Sequence, residues 1–315
     1  MKVLITGGAG FIGSSLVSYI AQLGQNHQMV VLDDFSTGRE SNLEGYSVEL
    51  VLGSVADGNA VHRAMEGVDA VVHLGALGSV PRSVVDPVAS HVANLTGTLN
   101  VLEAARQKDA YVVFASSSSV YGANTTLPKS EFDWTRPMSP YAVTKLGAEA
   151  YVLAYQYSYG LPTLAFRLFN VYGPRQPADH IYAAVVPRFV DSALKDEPLM
   201  IHGDGLQSRD FTYVDTVCRA LFSAIDRRVA APDPVNLAFG SSTTLLELVD
   251  LIEAALKRPV TRTHLEPRVG DVRASQSDGV RIREIFPELQ PTTLADGLAA
   301  TIAWHRSTRG EGRYA

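Results

Sequence analysis

The sequence predicts an α/β protein: a doubly wound parallel sheet with helices on both faces, joined to a smaller mixed α/β part. Three observations carry that expectation. Short apolar runs alternate with helix-periodic segments through the first half of the chain, the pattern of a parallel sheet buried on both sides. The first run opens directly into glycines at positions 7, 10 and 13. The second ends in two carboxylates, Asp33 and Asp34.

In chain order, the opening run through Ile5 reads as a buried strand, and Gly7-Gly8-Ala9-Gly10-Phe11-Ile12-Gly13 as a tight turn entering a helix over 11–25. Gly7 makes the turn, Gly10 lets the backbone approach a pyrophosphate, and Gly13 lets helix and strand pack closely. The free N–H groups of the helix start, around Phe11 and Ile12, face the anion. Residues 28–34 form the second strand, and Asp33 stands twenty residues after Gly13. A carboxylate there accepts the ribose hydroxyls of an adenosine and repels a 2′-phosphate, so NAD is favoured over NADP. The sheet is therefore expected to be Rossmann-type.

A third strand follows at 47–52, a helix at 56–66 and a fourth strand at 69–74. Residues 84–107 form one long periodic segment, with Val88, Val92, Leu95, Leu99 and Leu102 on or near one face. The fifth strand is 111–115, a second long helix runs from about 140 to 159, and 163–168 is the next strand. After Asn170 the pattern loosens. Helices are expected at 184–196 and 214–228, a turn at Gly203-Asp204-Gly205, and a strand at 235–238 that rejoins the main sheet. Then come a helix at 244–257, a short strand at 261–265, a loop at 266–273, helices at 277–285 and 292–306, and a frayed polar tail from Thr308. The expected division is 1–168 plus 211–238 as the dinucleotide domain, and 169–210 plus 239–315 as a smaller substrate domain over the carboxyl edge of the sheet.

A net charge of -6 gives no electrostatic reason to expect nucleic acid or an anionic membrane as partner. The longest apolar runs fall short of a membrane span, and the chain enters its first strand at once, so neither membrane nor secretion is expected and the location is expected to be cytoplasmic. Cys218 is alone, which excludes a disulfide framework, and the eight histidines show no metal-binding spacing, so no metal is expected.

The chemistry concentrates after the fifth strand. Ser116-Ser117-Ser118-Ser119-Val120-Tyr121-Gly122 lies at the sheet's carboxyl edge, and Ser139-Pro140-Tyr141-Ala142-Val143-Thr144-Lys145 opens the second long helix. Tyr141 and Lys145 are four apart and share a helical face. An ammonium beside a phenol favours phenolate and lowers its pKa toward the range of a working base.

Together these pieces resemble the extended short-chain dehydrogenase/reductase superfamily, in its nucleotide-sugar epimerase and dehydratase branch, on the side of the UDP-glucose and UDP-N-acetylglucosamine 4-epimerases. The likeness also rests on Arg167-Leu168-Phe169-Asn170-Val171-Tyr172-Gly173-Pro174-Arg175-Gln176 and on Gly203-Asp204-Gly205 with Ser208-Arg209-Asp210-Phe211. It implies tightly held NAD, a UDP-sugar between two domains, and a homodimer joined through the long helices near 84–107 and 140–159. It assigns Ser117 as the catalytic hydroxyl, Tyr141 as the base and Lys145 as the residue that binds the nicotinamide ribose and tunes the tyrosine. Ser54, Val55 and Leu74 join the glycine turn, Asp33 and Asp34 in holding the cofactor. Ser54 replaces a usual aspartate after Gly53, with Asp57 nearby, and Gly75 replaces a usual alanine.

The implied reaction oxidises C4 of the sugar, turns the 4-keto sugar over and returns the hydride to its other face. Water-eliminating relatives carry an Asp-Glu pair after the catalytic hydroxyl; here those positions are Ser118 and Ser119, which favours an epimerase. Arg209 and Arg268 suit the diphosphate, Asn170 adds an amide contact, and Arg82, Ser118 and Asp271 complete the substrate set. Ser275 falls at the gate beside the C2 substituent, where a small residue leaves room for an N-acetyl group, and the run from Tyr182 to Pro187 resembles the N-acetylhexosamine-tolerant group. The competing expectations are a UDP-glucuronate 4-epimerase, a dTDP-sugar epimerase or a net nucleotide-sugar oxidoreductase. Outside enzymes, the alternative is an NAD-sensing scaffold that turnover by Tyr141 would exclude.

Overall fold

The computed structural model describes residues 1–24, 27–178, 183–267 and 272–310. Six strands, β1 (Lys2–Thr6), β2 (Gln28–Asp33), β3 (Glu49–Leu52), β4 (Ala70–His73), β5 (Tyr111–Ser117) and β6 (Thr163–Leu168), join Val235–Leu237 in one parallel sheet. Its spatial order is β3-β2-β1-β4-β5-β6 and then Val235–Leu237. The order reverses at β1, which pairs with both β2 and β4, so a crevice opens at the carboxyl ends there. The architecture is the expected Rossmann-type sheet, and the strand at 235–238 does rejoin it.

Successive side chains of each strand alternate between two cores. Val3, Ile5, Val31, Val72, Val113 and Phe166 pack with the helices Phe11–Gln22 and Val214–Asp226. Leu4, Val30, Leu32, Val71, Val112 and Phe114 pack with Gly58–Ala64, Gly97–Lys108 and Pro140–Tyr159 on the other side. The last of these starts cleanly because Ser139 accepts from the Ala142 N–H and Pro140 occupies the first turn, and it stops at Gly160 with φ 68°. A third core joins Phe189, Val190, Ile201, Leu248, Ile252 and Leu298, and the helix Leu245–Leu256 is opened by a Thr244–Glu247 capping box.

Several expected boundaries shift. The segment 84–107 is not one helix: Val80–Val85 and Pro87–His91 meet at Asp86, a wide π turn spans Val92–Thr96, and the helix Gly97–Lys108 follows. Asp86 breaks the run by capping a new helix through the Ala89 N–H. Val88 and Val92, expected on or near one face with Leu95, Leu99 and Leu102, are exposed. The last helix, Leu294–Gly310, carries Thr308 within it, so the frayed tail expected from Thr308 is not found over 308–310, and 311–315 lie outside the described residues.

Candidate active site

A cavity of about 880 Å³ occupies the crevice at the switch point. Its floor is the glycine turn. Gly7 has φ +68°, and a Cβ there would lie 2.8 Å from the Gly75 nitrogen; one on Gly13 would lie 2.2 Å from the Gly7 carbonyl. Gly10 differs. A Cβ there meets only the Gly7 oxygen, at 3.3 Å, and the residue lines the cavity, so its missing side chain leaves room for a ligand rather than for protein. Phe11, Ile12 and Gly13 line the same space, with first-turn N–H groups that no carbonyl one turn back can serve.

Asp33 closes this turn. Its Oδ2 accepts the Ala9 N–H at 2.8 Å and its Oδ1 the Phe35 N–H at 2.9 Å. Burial pushes its carboxyl pKa up, and the hydrogen bonds from Phe35 and Ala9 act against that. For Asp34 burial also acts upward, but hydrogen bonds from Ser36 and Ser54 outweigh it and hold the carboxyl below its ordinary value. Ser54, Val55 and Leu74 line the cavity beside them. Asp57 does not; it caps the helix Gly58–Ala64 through the Asn59 N–H. Gly75 has a local reason, since a Cβ there would sit 2.9 Å from Val55 Cγ1 and 3.1 Å from Thr6 Oγ1.

At the other end of the cavity Ser117, Tyr141 and Lys145 come together. Ser117 terminates β5, and its Oγ accepts from the Ser119 N–H at 3.2 Å and the Ser119 hydroxyl at 2.9 Å. The half-buried Tyr141 lines the cavity beside Ser117, and its backbone N–H donates to Ser83 Oγ at 3.0 Å. Lys145 is buried and donates to the Ala115 carbonyl at 2.8 Å, with its Nζ 5.0 Å from the Phe114 ring centroid. Burial lowers its pKa to about 8. The expected lowering of the phenol is reversed in the protein alone: burial raises the Tyr141 pKa, and the nearby Ser117 side chain only moderates the rise.

Two supports gain their partners only in the fold; His73 is expected from the sequence as a strand-end residue packing near the cofactor, and it ends β4. His73 sits between Thr6 Oγ1 at 2.7 Å and Thr98 Oγ1 at 2.9 Å, and burial together with the Lys145 charge lowers its pKa to about 3, so the ring is neutral. Asn94, in the wide turn, accepts the Leu77 N–H at 2.7 Å and donates to the Leu77 carbonyl and, at 3.0 Å, to Thr144 Oγ1. It thereby ties the cavity wall at Leu77 to the helix of Tyr141 and Lys145. The only sequence hint was an asparagine inside an apolar stripe.

The substrate candidates are less concentrated. Arg82 lines the main cavity, and Asn170 lines both it and an adjoining pocket of about 250 Å³ that also holds Arg209. Asn170 Nδ2 donates to the Asp210 carbonyl at 3.2 Å, and Arg209 donates to the Ser208 carbonyl at 2.8 Å. Ser275 pairs with Arg209 across the parallel strands Ala274–Ser275 and Ser208–Arg209, and lines neither pocket. Ser118 starts the 3₁₀ turn Ser118–Tyr121 and also lines neither. Arg268, Asp271 and Tyr182 lie outside the described residues. Among the described residues no cluster of three or more His, Cys, Asp or Glu could hold a metal, and no helix is long and apolar enough to cross a membrane.

A Rossmann sheet whose crevice carries a glycine turn, the acids Asp33 and Asp34 and a Ser-Tyr-Lys cluster is that of the NAD-dependent extended short-chain dehydrogenase/reductase class. More narrowly, the chain belongs to the NAD dependent epimerase/dehydratase family, whose model matches residues 3–238. The UDP-glucose 4-epimerase of Mycolicibacterium smegmatis is 36% identical over 320 residues, covering 98% of this chain and 99% of that one. The UDP-N-acetylglucosamine 4-epimerase from Methanobrevibacter ruminantium M1, solved with UDP-N-acetylmuramic acid, is 33% identical with a TM-score of 0.92 over 98% of each chain. The UDP-glucuronic acid 4-epimerase from Bacillus cereus, solved with UDP-glucuronic acid and NAD, is 28% identical with a TM-score of 0.88, covering 98% of this chain and 99% of that one.

Proposed function

We propose that the protein interconverts the C4 epimers of UDP-hexoses, glucose with galactose and also their N-acetylated counterparts. The observation that carries this is the meeting of Ser117, Tyr141 and Lys145 on the wall of the cavity that holds the glycine turn. NAD, when bound, supplies a reversible hydride acceptor. Tyr141 takes the proton of the sugar O4 and gives it back, while Ser117 holds that oxygen in both poses. Burial raises the phenol's pKa in the protein alone, and Lys145, one helical turn away, is assigned to the nicotinamide ribose and to tuning the phenol when NAD is bound. The Ser119 hydroxyl, spent on Ser117, orients it. Neither Ser118 nor Ser119 is acidic enough to expel a 6-hydroxyl, so the keto sugar is returned rather than dehydrated.

Arg82, Asn170, Arg209, Arg268 and Asp271 are assigned to the sugar nucleotide, with the diphosphate held by the arginines. Ser275, beside Arg209, is assigned to the room that an N-acetyl group needs. The two-domain division given above is part of the same proposal, with the third core as the centre of the substrate part. We also propose a cytoplasmic homodimer. Val84, Val85 and Val88 are exposed, as are Val143, Tyr151 and Tyr157 on the helix Pro140–Tyr159, an apolar surface that a second copy covers.

The test is incubation of NAD-loaded protein with UDP-glucose, UDP-galactose, both N-acetylated forms, UDP-glucuronate and a dTDP-hexose, separating the C4 epimers. Interconversion of the neutral UDP sugars without net NADH supports the proposal. Turnover of the uronate alone, of the dTDP sugar alone, or carbon dioxide release overturns the substrate assignment.

A further inference from the structure

Arg175 has no part in the chemistry described, yet it is held at φ +69°, a left-handed conformation that side-chain-bearing residues rarely adopt. From the turn after Tyr172 its guanidinium crosses to the segment that follows β2. There Nη1 donates to the Asn42 carbonyl at 2.9 Å and Nη2 to the Tyr46 hydroxyl at 2.7 Å, with the guanidinium carbon 5.5 Å from the Tyr46 ring centroid. Asn42 is buried and passes the contact inward, its Nδ2 donating to the Ala9 carbonyl at 2.8 Å. Ala9 in turn donates its N–H to Asp33 Oδ2. A continuous set of hydrogen bonds thus runs from Arg175 to the glycine turn and on to the acid expected to face the ribose.

The neighbours of this latch are walls of the cavity. Arg39 lines it from the β2 side, and Gln176 and Pro177 line it from the other. The Gln176 Oε1 is buried without a partner among the described residues, an acceptor that a bound molecule's N–H can satisfy. Widening the cleft on this side separates Arg175 from Asn42 and Tyr46 and breaks two hydrogen bonds from a cation.

We propose that Arg175 is a positioning residue that retains the dinucleotide: it ties the loop at Gln176–Pro177 to the glycine turn and slows release from the cleft. This rests on assigning the main cavity to the cofactor, and it is independent of which sugar is turned over.

The test loads the full-length protein with NADH, adds excess NAD and follows NADH release by fluorescence, with the melting temperature of the ligand-free protein measured alongside. Arg175→Ala is expected to speed release about tenfold or more, the effect of losing two charged hydrogen bonds. Arg175→Lys is expected to fall between, since a single ammonium cannot replace the two-pronged contact. Tyr46→Phe removes one acceptor, is expected to speed release less than Arg175→Ala, and keeps the question answerable if that variant does not fold. Unchanged release in these variants, even with a lowered melting temperature, means that Arg175 is only structural and overturns the proposal. A wild-type protein that takes up no dinucleotide overturns the cavity assignment and the latch with it.

Discussion

The Arg167 guanidinium meets the Glu149 carboxylate at 2.7 and 3.0 Å, with both side chains almost wholly removed from solvent. Glu149 lies one helical turn beyond Lys145, and Ser116, the residue before Ser117, donates to the same carboxylate at 2.6 Å. The pair therefore locks the end of β5 to the helix that carries Tyr141 and Lys145. Removing one partner leaves a buried charge uncompensated, so Glu149→Ala is expected to cost about 3–5 kcal/mol in denaturant unfolding. Glu149→Leu combined with Arg167→Met is expected to recover part of that loss. A cost for Glu149→Ala within the range of an ordinary surface substitution contradicts the arrangement.

Tyr141→Phe keeps the ring and removes the acid–base group. It is expected to lower turnover of a UDP-hexose by roughly 10²–10⁴-fold, with NAD content little changed. Ser117→Ala is expected to lower turnover less, because Tyr141 remains. Steady-state rates beside the absorbance of bound cofactor distinguish lost chemistry from lost cofactor.

His73 gives the protein an acid sensitivity of definite sign. Its folded pKa of about 3 lies below the usual 6.5, so between those values the unfolded chain binds a proton that the folded chain does not. Stability is therefore expected to fall as pH drops from about 6.5 toward 3. In His73→Gln the slope of unfolding free energy against pH is expected to be shallower across this window; an identical slope excludes His73 as its source.

Lys145 has the same sign at higher pH. With a folded pKa of about 8 against the usual 10.5, it makes stability rise between those values as the burial penalty of the ammonium disappears. Turnover is expected to decline over the same rise, because the cation beside Tyr141 is lost. A pH–rate profile of the wild type and a pH–stability series for Lys145→Met check the two halves separately.

Gly13→Ala tests the glycine turn. The added Cβ would lie 2.2 Å from the Gly7 carbonyl and 2.6 Å from Gly8 Cα, so the backbone must shift. The expected outcome is loss of bound NAD at temperatures where circular dichroism still reports a folded sheet.

The parts of this molecule readable in advance were those set by local pattern. The parallel sheet followed from apolar runs, and the glycine turn with Asp33 from spacing alone. The break at Asp86 was not, since an aspartate within a periodic stretch suits a solvated helix face as well as a cap. Nor were Asn94 and Arg175, or the partners of His73, whose place at a strand end was readable: Thr144, Asn42 and Thr6 are neighbours only in the folded protein. The reversed pKa of Tyr141 has the same origin. Spacing puts a lysine near it, but how far the folded protein shields the phenol from water, and where the ammonium points, are tertiary outcomes.

The wide turn at Val92–Thr96 also bears on how such a chain tolerates change. Each residue advances an α-helix by about 100°, so one extra residue in a single turn resets the angular phase of everything after it. Asn94 can then aim at Leu77 and Thr144 while Val101, Leu102 and Ala105 aim at the sheet, two demands that one uninterrupted spiral would set against each other. Deleting a single residue there would regularise the spiral and swing Thr98 away from His73. A shortening that looks harmless in an alignment would thus misdirect the imidazole behind Lys145.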